Sequence, residues 1–244
     1  MNNLTEKDEI IVSELEHHSQ VLPWQNVSNI TKAKLVYVPL NNEGRITVEN
    51  FKSVLMGIFN KIIFFFFVTL RIWKYQLLSD CKRISGKPNL YIPLLLNGRG
   101  KIKFGTNFQN GVSAAHYTYS SYNYILSMYE DSEVNFGHNV VMANGSTIQA
   151  VSKINIGNDV MIGINCMLVD TDGHDLNPEK RMTGDIKSSP ITIGNNVIIY
   201  YNSVVFKGVT IGDNSVIGAC SVVTKDIPPN VFAAGSPARV IRNL

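Results

Sequence analysis

The feature that most constrains this chain is a period of six. Apolar residues stand at Ile193, Ile199, Val205, Ile211, Ile217 and Val223, each six after the last. Two residues ahead of each, a second file runs Ile191, Val197, Ser203, Val209, Ser215 and Ser221, all small or β-branched. Upstream the same spacing holds for Ile156, Ile162 and Leu168, and for Phe136, Met142 and Ile148. Between Ile148 and Ile156 the step is eight, so two residues are inserted there. An amphipathic helix cannot use such a period, because residues six apart lie on different faces. A flat sheet would alternate without a strict glycine phase, whereas Gly105, Gly137, Gly157, Gly163, Gly194, Gly212 and Gly218 each follow an inward position. A coil of three short strands per turn satisfies both files. It buries one aliphatic side chain per strand and turns its corners at glycine or asparagine. The fold class expected is therefore mainly β, a parallel β-helix over residues 101–244, after an α-containing region over 1–100.

The repeat breaks once at length. Residues 170–190, DTDGHDLNPEKRMTGDIKSSP, are polar and carry no apolar register. A long polar loop on a rigid scaffold is a usual place for function. It holds His174, Arg181 and Asp185. Asp170, Asp172 and His174 alternate, but a metal is not expected.

Net charge is +3 over 244 residues, with 45% hydrophobic and 17% charged residues. That composition belongs to a folded chain, and the mild basic excess is too small to argue for nucleic acid. Cys81, Cys166 and Cys220 form no CxxC pair. They read as reduced thiols of a cytoplasmic protein, the last two as small buried hydrophobes within periodic segments. No basic segment followed by an apolar stretch opens the sequence, so no secretory signal is expected.

The first hundred residues are less regular. Ile10, Ile11, Leu15 and Val21 suggest helix over residues 1–20, Lys34 to Leu40 a short strand, and residues 48–80 helix. Residues 54–73 are strongly apolar but interrupted by Asn60 and Lys61. A spanning helix needs about 20 apolar residues, so a true span fits worst. A helix on a membrane surface, at the inner face, and a plain buried helix both fit. The tyrosine-rich run 117–129 reads either as a saccharide-stacking surface or as an irregular coil of the solenoid.

The motifs PITIGNN at 190–196, GVTIGDNSVIGA at 208–219 and SVVTKDIPPNVFAAGSPARVIRNL at 221–244 resemble the hexapeptide-repeat acyltransferases. Within that family the resemblance is to galactoside and maltose acetyltransferases and to capsule or O-antigen acetyltransferases. It implies a left-handed β-helix, a homotrimer with sites between neighbouring helices, and acetyl transfer from acetyl-CoA to a sugar or polysaccharide precursor. The base it implies is His174, with Asn144, thirty residues earlier, near the acceptor hydroxyl. Cofactor contacts carried over are Ala219, Thr224 and Lys225, with Arg239 and Arg242 near the 3′-phosphate. The backbone N–H of Tyr201 is the implied oxyanion donor. Arg181 and Asp185 are candidates for the acceptor. Tyr200 and Tyr201 depart from the small residues usual there, and Ile198 from the usual tryptophan. N-acetylation of an amino sugar or small amine, and a non-catalytic scaffold, are the alternatives. The chemistry suits the residue types. A histidine can take the hydroxyl proton near neutral pH, backbone donors can hold the oxyanion, and cations can meet the CoA phosphates.

Overall fold

The computed structural model describes residues 4–14, 18–43, 45, 47, 52, 57, 59–113 and 115–244. Two compact units divide the chain, residues 1–64 and 65–244.

The first unit is a β-α-β turn. Strand β1 (Glu9–Ser13) pairs in parallel with β2 (Lys34–Val38) across helix α1 (His18–Thr31). The expectation of helix over residues 1–20 is corrected. The run Ile10-Ile11-Val12 is β-branched throughout, which favours a pleated surface. Ile10 and Val12 are buried with Ala33. The strand expected from Lys34 is present and ends at Val38, just before Pro39. Lys61 pairs with Glu9 at 2.6 Å. Residues 59–64 are helical. Residues 54–56 and 58 of the apolar segment lie outside the described residues.

The second unit opens on a π-helical turn, Phe65–Thr69, and α2 (Leu70–Leu78). Among the described residues no helix is long and apolar enough to cross a membrane. Beyond α2 the chain winds into a three-sided, left-handed parallel β-helix, the fold expected. Face I stacks Asn89–Leu90, Gln109–Asn110, Val141–Met142, Met161–Ile162, Ile198–Ile199, Val216–Ile217 and Val231–Gly235. Ala238–Asn243 returns antiparallel on its end. Face II stacks Leu94–Asn97, Asn123–Ser127, Thr147–Ala150, Met167–Val169, Val204–Phe206 and Val222–Val223. Face III stacks Arg83–Ser85, Lys101–Lys103, Glu133–Phe136, Lys153–Ile156, Ile191–Ile193 and Thr210–Ile211. The first coil thus forms ahead of residue 101, where the repeat becomes regular in sequence.

Both files of the six-residue period point inward. Ile193, Ile199, Val205, Ile211, Ile217 and Val223 are all buried, as are the serines and valines two residues earlier. Each such aliphatic side chain contributes roughly 1.5–3 kcal/mol on burial. Phe104, Phe108 and Phe136 close the column near its first coils, with the rings of Phe104 and Phe136 stacked at 5.3 Å. The buried serines do not orphan their hydroxyls: Ser203 donates to Gly218 O, and Ser215 to Pro228 O.

The corners divide the labour between asparagine and glycine. Left-handed backbone falls on Asn139, Asp159, Asn196, Asn214 and Asn230 where face III turns into face I. It falls on Gly145, Asn165, Asn202 and Cys220 where face I turns into face II. The glycines that follow inward residues serve close stacking instead. A Cβ at Gly163 would lie 2.6 Å from the backbone nitrogen of Tyr201. Cys220 is therefore exposed at a corner, not buried as its place in the sequence suggested. Cys81 and Cys166 are buried, and burial pushes the Cys166 thiol up to about 11.

Candidate active site

Two corners of the prism bear the residues of interest, and both border face II. At the corner from face I to face II, Asn144, Tyr201 and Ala219 stand in one file along the axis. The stacking is carried by hydrogen bonds from Asn165 N to Asn144 O, Asn202 N to Ile164 O and Cys220 N to Tyr201 O. The N–H groups flanking Tyr201, those of Tyr200 and Asn202, bond to neighbouring coils. That of Tyr201 donates to nothing among the described residues, and neither does that of Ala219. The corner thus presents two backbone donors to whatever lies against it. The Tyr200 and Tyr201 side chains are both about half exposed, at 46% and 51%.

Asn144 is wholly buried. Its Oδ1 accepts from Val112 N at 2.8 Å, and its Nδ2 donates to His116 O at 2.9 Å. In the protomer its amide secures the loop 111–122, which protrudes from this same corner.

His174 leaves the coil at the other edge of face II. The loop 170–190 starts as a two-stranded stem: Thr171 bridges Ser188, and Asp172 N donates to Lys187 O. Asp170 anchors it. This buried carboxylate accepts from Val151 N at 2.7 Å, Ser152 N at 2.8 Å and Ser152 Oγ at 2.9 Å. Val151 and Ser152 lie in the eight-residue step that breaks the period, so the insertion is the socket for the loop. Lys207 donates to Asp172 on the next coil. His174 is exposed and has no hydrogen-bond partner among the described residues, and Gly173 beside it takes left-handed backbone. Further out, Asn177 caps the short 3-10 turn Pro178–Lys180 through Glu179 N. Arg181 and Asp185 are exposed beyond it.

Thr224 and Lys225 are exposed at the His174 corner, two coils on. Arg239 and Arg242 lie on the terminal strand at the end of face I, Arg242 over the ring of Phe232 at 5.7 Å. So one protomer brings Asn144, Tyr201 and Ala219 together, and sets His174 and Lys225 at the opposite edge. Six residues of extended chain separate the edges, roughly 20 Å. Among the described residues no group of three His, Cys, Asp or Glu could hold a metal ion. Asp170 is committed to its backbone donors and Asp172 to Lys207.

Residues 190–225 match the bacterial transferase hexapeptide family, six repeats. The hexapeptide repeat of that family thus runs through this part of the chain. It is 51% identical over 113 residues to galactoside O-acetyltransferase of Escherichia coli strain K12, covering 46% of this chain and 55% of that one. It is 40% identical over 111 residues to galactoside O-acetyltransferase of Lactococcus lactis, covering 46% and 53%. A solved galactoside acetyltransferase in complex with coenzyme A is 52% identical over 45% of this chain and 55% of that one, with a TM-score of 0.44. The chain thus spans about half the length of the curated relatives it matches. Residues 1–64 match a different family, aminotransferase class V. The β-α-β unit and the repeat region therefore match different families. Sequence reading did not find that kinship, because a single β-α-β turn has no period to detect. It named Asp170 only in an alternating set and missed its role as anchor in the Val151-Ser152 socket, whose only signal was the extra two residues in the register.

Proposed function

We propose that the chain is an acetyl-CoA-dependent O-acetyltransferase acting on a sugar or cell-surface polysaccharide precursor. The observation that carries the reading is His174 on a stemmed, carboxylate-anchored loop, facing solvent and without a hydrogen-bond partner among the described residues, in a region similar to galactoside O-acetyltransferases. The imidazole takes the proton of the acceptor hydroxyl as its oxygen attacks the thioester carbonyl. The oxyanion of the tetrahedral intermediate is held by the Tyr201 N–H. The C–S bond then breaks, and the imidazolium returns its proton to the departing thiolate. No covalent enzyme intermediate is needed. Ala219 N–H receives a pantetheine carbonyl, while Thr224, Lys225, Arg239 and Arg242 meet the phosphates and the outer part of the cofactor. Asn144 enters as the residue that positions loop 111–122, and Arg181 and Asp185 as acceptor contacts.

The separation of the two corners bears on assembly. A donor groove at one corner and a base at the other complete each other when three prisms pack side by side with closed symmetry. The homotrimer is therefore part of the proposal. So is contact with the inner face of a membrane through residues 54–73, where Phe66, Phe67 and Trp73 are each more than half exposed.

The test is thiol release from acetyl-CoA against a panel of galactosides, maltose, nucleotide sugars and capsule oligosaccharides, for wild type and His174→Ala. Release with a saccharide, abolished in the variant, is the expected result. Equal rates in both would remove His174 from the mechanism, and silence with no CoA binding would leave a scaffold.

A further inference from the structure

The residues of loop 111–122 take no chemical step in the proposed reaction. With the adjoining coils it walls an open cavity of about 490 Å³ beside the corner of Asn144 and Tyr201. The volume lies within the ~300–1,000 Å³ of small-molecule clefts. Tyr117, Tyr122 and Tyr124 supply flat rings, and Ser120, Thr147 and Asn165 supply hydroxyls and an amide. None of the described residues lining it carries a charge.

The loop is held from behind. Arg71 on α2 donates to Tyr119 O at 2.6 Å and to Ser121 O at 2.7 Å. Thr118 is buried and donates to Ala115 O, and Asn144 holds His116 O. The Tyr122 ring packs on Tyr75 at 4.6 Å. Four groups of the wall are not used in this way: the phenols of Tyr117, Tyr122 and Tyr124 and the Ser120 hydroxyl have no hydrogen-bond partner among the described residues. Tyr117 sits in left-handed backbone, φ 66°, an outlier for a bulky side chain that the loop contacts sustain. A rigid loop that presents rings and free hydroxyls already in place loses little entropy on binding.

We infer that this cavity is a subsite for a neutral oligosaccharide, in which Tyr117 and Tyr122 stack on sugar faces and Ser120, Thr147 and Asn165 bond to sugar hydroxyls. Sugar rings offer C–H faces to aromatic side chains and hydroxyls at their edges, which is the chemistry of this wall. The absence of charged lining disfavours a phosphorylated or carboxylated sugar. The subsite continues along the corner into the file of Tyr201 and Ala219, through the Asn165 amide bonded to Asn202 at 2.8 Å. Resting on the proposed transferase reading, it makes the acceptor a chain of sugars, with further residues held here while one hydroxyl reacts.

Calorimetric titration with maltotriose, lactose and chitotriose tests this without any acetyl transfer. The variants are Tyr117→Gly, which suits left-handed backbone, and Tyr122→Leu, which keeps apolar bulk against Tyr75. At least one of these neutral sugars should bind wild type, better than a sialic-acid oligomer does. Its affinity should fall about tenfold in each variant, with thermal unfolding little changed. Binding unaltered in both variants, no binding of any neutral sugar, or preference for the sialic-acid oligomer would overturn the subsite. Wild type that binds and loses the sugar in this way, yet consumes no acetyl-CoA with any acceptor, would support the subsite and sink the transferase reading.

Discussion

The three corners of the prism differ in what they carry. Where face III turns into face I, no loop is inserted, and the left-handed residues bond to one another in file. Asn107 donates to Asn139 and Asn139 to Asp159, then Asn196 to Asn214 and Asn214 to Asn230, all between 2.9 and 3.2 Å. The other two corners carry loops 111–122 and 170–190, with Tyr201 and Ala219 at one and His174, Thr224 and Lys225 at the other. The longest ladder runs along this edge, while the corner from face I to face II keeps one such bond, Asn165 to Asn202 at 2.8 Å. A solenoid permits this because each coil contacts chiefly its neighbours, so an insertion at one corner need not disturb another.

The sharpest break in that comparison is functional. His174→Ala should cut turnover about 10²–10⁴-fold, the usual worth of a general base, with the melting temperature unmoved. A measurable fall in melting temperature would make His174 part of the scaffold. Next is Asp170→Ala, which strips the socket of Val151 and Ser152 and leaves buried N–H groups unmet. A loss of about 3 kcal/mol in denaturant unfolding is expected, together with turnover, since the loop loses its anchor. Loss of stability with full activity would separate anchor from base.

Asn214→Ala addresses the quiet corner. It removes two ladder bonds and forces alanine into left-handed backbone, at about 1–2 kcal/mol, while kcat/KM stays at the wild-type value. Asn214→Gly should cost less. An effect of either on kcat/KM would break the division between corners. The smallest effect is electrostatic. Glu133 on face III bonds to Lys153 at 3.1 Å and Lys101 at 3.2 Å, and these lysines, Lys153 first, hold its carboxyl down at about 2. Its stabilisation is full above the ordinary carboxylate range, near 4.5, and is lost as pH falls from there through 2. The groups are partly exposed, so only about 0.2–1 kcal/mol is at stake. Glu133→Gln should flatten that part of the stability–pH curve.

The buried column was legible because a six-residue period survives any choice among Ile, Val, Leu and Met, and each inward residue sits where the spacing put it. The corners were half legible. Glycine and asparagine marked them, but which one takes left-handed backbone depends on coil-to-coil contact, as at Gly163 against Tyr201. Cys220 followed the same rule and so came to the surface. Loop 111–122 was harder to see. Its tyrosines run into Asn123–Ser127, a true strand of face II, so loop and coil share one apolar stretch in the sequence. The strand β1 was read as helix because four apolar residues fit a helical spacing, and only pairing with β2 decides otherwise. His174 and the file of Tyr201 and Ala219 were named from sequence, but not that they stand at opposite edges of one face.

That separation offers the most direct test of the central claim, acetyl transfer at a site shared between protomers. His174→Ala and Ala219→Trp, the second filling the donor groove, should each be inactive alone and should elute as trimers. Unfolded together and refolded as a 1:1 mixture, they should recover about a quarter of wild-type thiol release, since one site in four pairs an intact base with an intact groove. A mixture as inactive as its parents, or a wild-type monomer in light scattering that still turns over, would contradict the account.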